Sequence, residues 1–131
     1  MKIEKIDGFG EFEIHSNYLV GRVDEGVDAN ETFVDVLTHC VQKHFSGRPI
    51  GYVSNRKYSY STCPVTMKYL VEVSNVRAIA VVTYTKQQES IFSVERMLLS
   101  DVPIESFGSL DKAVKWVKKE LQADLELIVD E

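Results

Sequence analysis

Polar and aromatic residues concentrate in one stretch of this chain, Ser54-Asn55-Arg56-Lys57-Tyr58-Ser59-Tyr60-Ser61-Thr62-Cys63-Pro64. Pro64 suits the first position of a helix, with Thr62 or Cys63 as its N-cap. The backbone N–H groups at that helix start, together with Arg56, can hold an anion such as a phosphate or carboxylate. Asn55, Arg56, Tyr58, Tyr60, Ser61 and Thr62 are therefore the candidate ligand- or partner-binding residues. Cys63 offers a second chemistry, because a thiol at a helix N-terminus beside Arg56 and Lys57 has its thiolate favoured and becomes a candidate nucleophile. No second cysteine lies nearby, and no histidine or acid is placed by the sequence to act as its base. The same residues have a plainer role, capping a helix and closing a loop.

Elsewhere the chemical signals are sparse. Cys40 and His44 are one helical turn apart, which makes a two-ligand fragment of a metal site; Cys40 reads more simply as a small buried hydrophobe on an apolar stripe. His39 lies off that stripe and is expected at the surface, as is His15. The chain has no GxGxxG, no Gly-rich phosphate loop with Lys-Ser/Thr, no HExxH and no GxSxG. We therefore expect no catalytic residues, no metal and no cofactor.

The elements that must position the polar stretch can be read from hydrophobic periodicity. Asn75-Val-Arg-Ala-Ile-Ala-Val-Val-Thr83 is an unbroken apolar, β-branched run, the pattern of a parallel strand buried on both faces. Residues Ile3 to Ile6, Glu11 to His15 and Tyr18 to Val23 read as strands, and the alternation in Glu11-Phe12-Glu13-Ile14-His15 suits an antiparallel hairpin with one wet face. Asp28-Ala29-Asn30 opens a helix carrying Phe33, Val36, Leu37, Cys40, Val41 and Phe45 at helical spacing, and Gly47 stops it. Pro49 to Val53 is the next strand, and the helix from Pro64 runs through Met67, Tyr69, Leu70 and Val73. A third helix spans Gln87 to Leu99 with Ile91, Val94 or Glu95, and Leu98 in phase. Ile104 to Phe107 is the last strand, and Ser109 caps a fourth helix whose Leu110, Ala113, Val114, Val117 and Leu121 face inward, with Trp116 beside them. The predicted fold class is α/β, a mixed, mostly parallel sheet of five to six strands with an N-terminal antiparallel hairpin and four helices. Ligands of such open sheets bind beyond the carboxyl ends of the strands, which is where Ser54 to Thr62 falls.

At 131 residues and net charge −5, the chain fits one ordinary domain, expected over 1–122. The tail 123–131 is too apolar to run free, and is expected to extend the helix, pack back, or add a strand to a neighbour. The excess of acids argues against a nucleic-acid surface. No apolar window is long enough to insert in a membrane and the first residues lack a secretory core, so a cytoplasmic location is expected.

The phrases Gly51-Tyr-Val-Ser-Asn-Arg56 and Ser109-Leu-Asp-Lys-Ala-Val-Lys-Trp-Val117, with the element order, give the chain up to about Gln122 a look of its own: it resembles the small bacterial SpoIIAA-like, STAS/Sec14-type proteins. That resemblance implies a non-enzymatic regulatory module, akin to anti-sigma-factor antagonists, that works by binding a protein partner. In those antagonists a phosphorylatable serine sits in an Asp-Ser-Ser/Thr-Gly-type motif; the matching place here is Ser59 to Pro64, making Ser61 and Thr62 candidate phospho-acceptors, although the Asp and Gly are absent. The Sec14 side of the resemblance implies instead a carrier for a lipid or small anionic ligand. A protein partner bound through Tyr58 and Tyr60 is the first expectation, with a homodimer as a further assembly.

Overall fold

The computed structural model describes residues 1–29, 31–57, 61–62, 68–69, 71–72, 75–99 and 101–129. The chain begins with an antiparallel meander: β1 (Lys2–Ile6), β2 (Gly10–Ile14) and β3 (Tyr18–Val23). On β2 the apolar residues alternate inward while Glu11 and Glu13 face the wet side, as the pattern predicts. Gly10 can be nothing larger: its φ is +152° and an added Cβ would stand 2.2 Å from the Arg22 carbonyl oxygen.

After β3 the connections become parallel crossovers. Two-residue β4 (Asp28–Ala29) precedes helix α1 (Glu31–Phe45), so the helix starts later than Asp28-Ala29-Asn30 suggested. Its inward stripe is Phe33, Val34, Leu37, Cys40, Val41 and Phe45, and it stops where Ser46 and Gly47 turn left-handed, at φ 52° and 79°. Strand β5 (Ile50–Asn55) is buried along its whole length. Strand β6 (Ser61–Thr62) pairs with β4 in a separate two-stranded sheet, Asp28 opposite Ser61 and Ala29 opposite Thr62. Of the helix expected from Pro64, residues 68–69 and 71–72 are helical, and the rest lies outside the described residues.

Strand β7 (Val76–Val82) is the apolar run around which the sequence is built, and all of it except Arg77 is buried. Helix α2 (Lys86–Leu98), β8 (Ile104–Phe107) and α3 (Leu110–Val129) complete the chain. The main sheet has six strands in the order β1-β2-β3-β5-β7-β8, antiparallel up to β3 and parallel beyond it. Strands therefore enter the sheet in chain order, always on the same side. Right-handed crossovers in that order carry their helices to one face. The core divides accordingly. On one face α1 and the Phe92–Leu99 side of α2 pack with Phe12, Leu19, Tyr52, Ile79 and Val81. On the other, α3 supplies Ala113, Val117 and Leu121 against Tyr18, Val20, Val53, Ala80 and Val82.

Helix α3 starts as its sequence foretells. Ser109 accepts the Lys112 N–H through Oγ at 3.3 Å and the Ala113 N–H through its carbonyl at 3.2 Å. The helix continues to Val129, so the apolar tail takes the first of its three expected courses and extends the helix. No described helix is long and apolar enough to cross a membrane.

Candidate functional site

The carboxyl ends of β5 and β7 carry a buried polar network. Ser54, Asn55 and Arg56 close β5, Thr83 and Tyr84 follow β7, and Thr85 caps α2 by accepting the Gln88 N–H at 3.1 Å. Burial of this many polar groups is tolerated only where each is paired. Arg56, 4% exposed, meets the fully buried Glu95 in two parallel contacts, Nη1 to Oε1 at 2.5 Å and Nη2 to Oε2 at 2.6 Å. Its Nε donates to Ser54 Oγ at 3.3 Å. The Gln88 side chain bridges both strands, donating to the Arg56 carbonyl at 2.8 Å and accepting the Tyr84 N–H at 2.6 Å. The Tyr84 hydroxyl donates to Asn55 Oδ1 at 2.6 Å.

This network fixes the rotation of α2, and here the sequence misleads. Ile91, Val94 or Glu95, and Leu98 are in phase for the core by sequence; Ile91, Val94 and Leu98 are 39%, 51% and 44% exposed, whereas Glu95, the other alternative, is buried. The buried residues are Phe92 and Glu95, with Leu99 at the C-cap. Two apolar rows run along this helix, Ile91/Val94/Leu98 and Phe92/Leu99. The second faces inward because Glu95 shares its side of the helix and Arg56 awaits a carboxylate there. The cost is an exposed row at i, i+3 and i+7, extended by Met97 and flanked at the helix start by Tyr84.

Of the residues singled out in the polar stretch, Asn55 and Arg56 are brought together with Tyr84, Gln88 and Glu95. Lys57 is exposed. Ser61 and Thr62 have their backbone in β6, while Tyr58, Tyr60 and Cys63 lie outside the described residues. Glu95 was the functional residue to find: an acid in an apolar helical row demands a cation, and Arg56 was already conspicuous.

A second constellation joins β1 to α1. Cys40 Sγ lies 3.5 Å from Glu4 Oε2, and His44 Nε2 makes a short contact with the same oxygen, while Lys43 Nζ stands 3.6 Å from Oε1. The contact with His44 holds the Glu4 carboxyl below the usual carboxylate range against the opposing effect of burial, helped by Cys40 and Lys43. Burial, and then the nearby Glu4 charge, push the Cys40 thiol up to about 12. His39, exposed as expected, lines a recess of about 320 Å³ with Glu4, Ile6, Asp35, Val36 and Cys40. The remaining histidine, His15, lies just past the end of β2 and is half-buried rather than exposed: it stacks on the buried Tyr18 at 4.2 Å and contacts Glu13 at 3.3 Å.

Comparison with known proteins finds no family model that matches this chain, no curated protein similar to it and no solved structure that resembles it.

Proposed function

We propose that this protein is a non-enzymatic protein-interaction module of regulatory type, and that it presents the outer face of α2 to a protein partner. The observation that carries this reading is the exposure of Ile91, Val94 and Leu98 on a helix that buries Glu95 instead. A helix that hides an acid and shows an apolar row is oriented against the ordinary hydrophobic preference. The Arg56–Glu95 pair and the Gln88 bridges hold that orientation rigidly, so the apolar row is presented without a further ordering cost on binding. Tyr84 adds an amphipathic aromatic of the kind enriched in interface cores. Tyr58 and Tyr60 extend the same reading on sequence grounds. Ser61 and Thr62 are its phospho-acceptors, where a phosphate would change the local charge by roughly two units.

A carrier for a lipid or small anionic metabolite is the second reading, and it began from Arg56. That guanidinium is engaged in bidentate contact by Glu95, which favours the interaction module.

The test is affinity capture from the host lysate with the wild type, Val94→Glu/Leu98→Glu and Tyr58→Ala/Tyr60→Ala. The α2 variant keeps the wild-type melting temperature, since surface changes of this sort stay within about 0.5 kcal/mol. It loses a partner that the wild type retains. Retention of the same partners by both folded variants overturns the reading.

A further inference from the structure

Glu4, Cys40 and His44 offer a carboxylate, a thiol and an imidazole whose ligand atoms all lie within 4.8 Å of one another. The three come from two elements that are distant in sequence. Cys40 and His44 stand at i and i+4, hence on one face of α1, and Glu4 reaches them from β1. We propose that these three side chains form a binding site for a divalent transition metal of the zinc type, ligated by Cys40 Sγ, His44 Nε2 and a Glu4 carboxylate oxygen.

The donor set decides the class of ion. One sulfur, one nitrogen and one oxygen suit a borderline-soft, tetrahedral ion and are wrong for calcium or magnesium, which take oxygen donors. The spacing fits as well. In a tetrahedral zinc site the sulfur and a carboxylate oxygen stand roughly 3.5 Å apart. Cys40 Sγ and Glu4 Oε2 are separated by 3.5 Å. The nitrogen and oxygen must open to roughly 3.3 Å, a small rotation of a half-buried Glu4 side chain on an edge strand.

Charge and access agree with this assignment. A thiolate and a carboxylate neutralise a divalent ion, and binding displaces the Cys40 proton to solvent. Lys43 is the cation that faces the site; it is exposed and contacts the other carboxylate oxygen at 3.6 Å, so it can swing into water. Asp35 and His39 line the recess that opens beside Glu4 and Cys40. That recess gives an entry path and a fourth position, taken by water or by one of those two side chains. A bound ion clamps the edge strand β1 to α1.

The experiment is titration of Co²⁺ into the full-length, reduced, chelator-cleared protein, followed by displacement with Zn²⁺. Expected are one equivalent bound, a thiolate-to-cobalt charge-transfer band in the near ultraviolet, visible bands of tetrahedral intensity, and loss of all of them on adding Zn²⁺. Glu4→Gln, on the edge strand, weakens Co²⁺ binding by tenfold or more, and Cys63→Ser leaves the band at full strength. Cys40→Ser removes it. Absence of the band from the wild-type protein overturns the proposal whether or not any variant folds, as does its loss in Cys63→Ser or its persistence in Cys40→Ser.

Discussion

Arg56 and Glu95 meet side by side, at 2.5 and 2.6 Å, between the carboxyl end of β5 and the buried face of α2. The pair locks a helix to a sheet at the point where the candidate interaction surface begins. Its energetics are those of a buried ion pair, in which the two desolvation costs roughly offset the attraction while either charge alone is strongly unfavourable.

Removing one partner is therefore expected to be far worse than removing both. Arg56→Met and Glu95→Leu each lower the unfolding free energy in urea by about 3–5 kcal/mol, whereas the double substitution restores most of that loss. If the double variant is as unstable as the sum of the singles, the residues do not act as a pair.

Gly51 sits directly beneath α3. A Cβ there would stand 2.1 Å from Val117 Cγ1, and a helical valine has one strongly preferred χ1, so it cannot rotate away. Gly51→Ala is expected to destabilise by about 1–3 kcal/mol. Val117→Ala in the same chain relieves the clash, and chemical denaturation of the four proteins of that cycle measures the coupling.

The β1–β2–β3 meander carries a cross-strand charge ladder. Glu11 lies opposite Lys5 on one side and Arg22 on the other, with contacts of 3.7 and 2.5 Å. The hydrogen bond from Arg22 is the main cause that draws the Glu11 carboxyl below its ordinary value. A carboxyl lowered in the folded state stabilises at pH above its unfolded value, and that contribution disappears as the pH falls through the folded value. The melting temperatures of wild type and Glu11→Gln should thus differ at neutral pH and converge in acid. A difference that persists unchanged at low pH would refute the ladder.

Phe92 tests the rotation of α2 independently of its charges. Phe92→Ala removes a buried ring and is expected to cost about 3–5 kcal/mol, while Ile91→Ala, one residue away and exposed, costs less than about 0.5 kcal/mol. Thermal melts of the two variants would invert this order if the outward row were the true core face.

What was legible in the residues follows from what local pattern can encode. The β7 run announced itself because a strand buried on both faces has no polar alternation. The α3 stripe was plain because its lysines and its apolar residues occupy separate faces. The phase of α2 was not legible, since two apolar rows compete there and the deciding contact is with Arg56, 39 residues away. Glu4 was missed for the same reason: nothing near it in the chain points to Cys40 or His44, and only the docking of α1 against β1 brings them together. Residues that act through neighbours in sequence were readable, and those that act across the fold were not.

The arrangement of the sheet has a consequence for synthesis. Because strands join in chain order and the crossover helices α1 and α2 both pack on one side, one apolar face can be sealed while the chain is still emerging. The opposite face, with Tyr18, Val20, Val53, Ala80 and Val82, has to wait for Ala113, Val117 and Leu121. A nascent chain released before Leu110 therefore carries a nearly finished sheet with one side bare, which is a surface for chaperones or for self-association. The last helix acts as the closing step of folding, and the quality of the finished product hinges on its arrival.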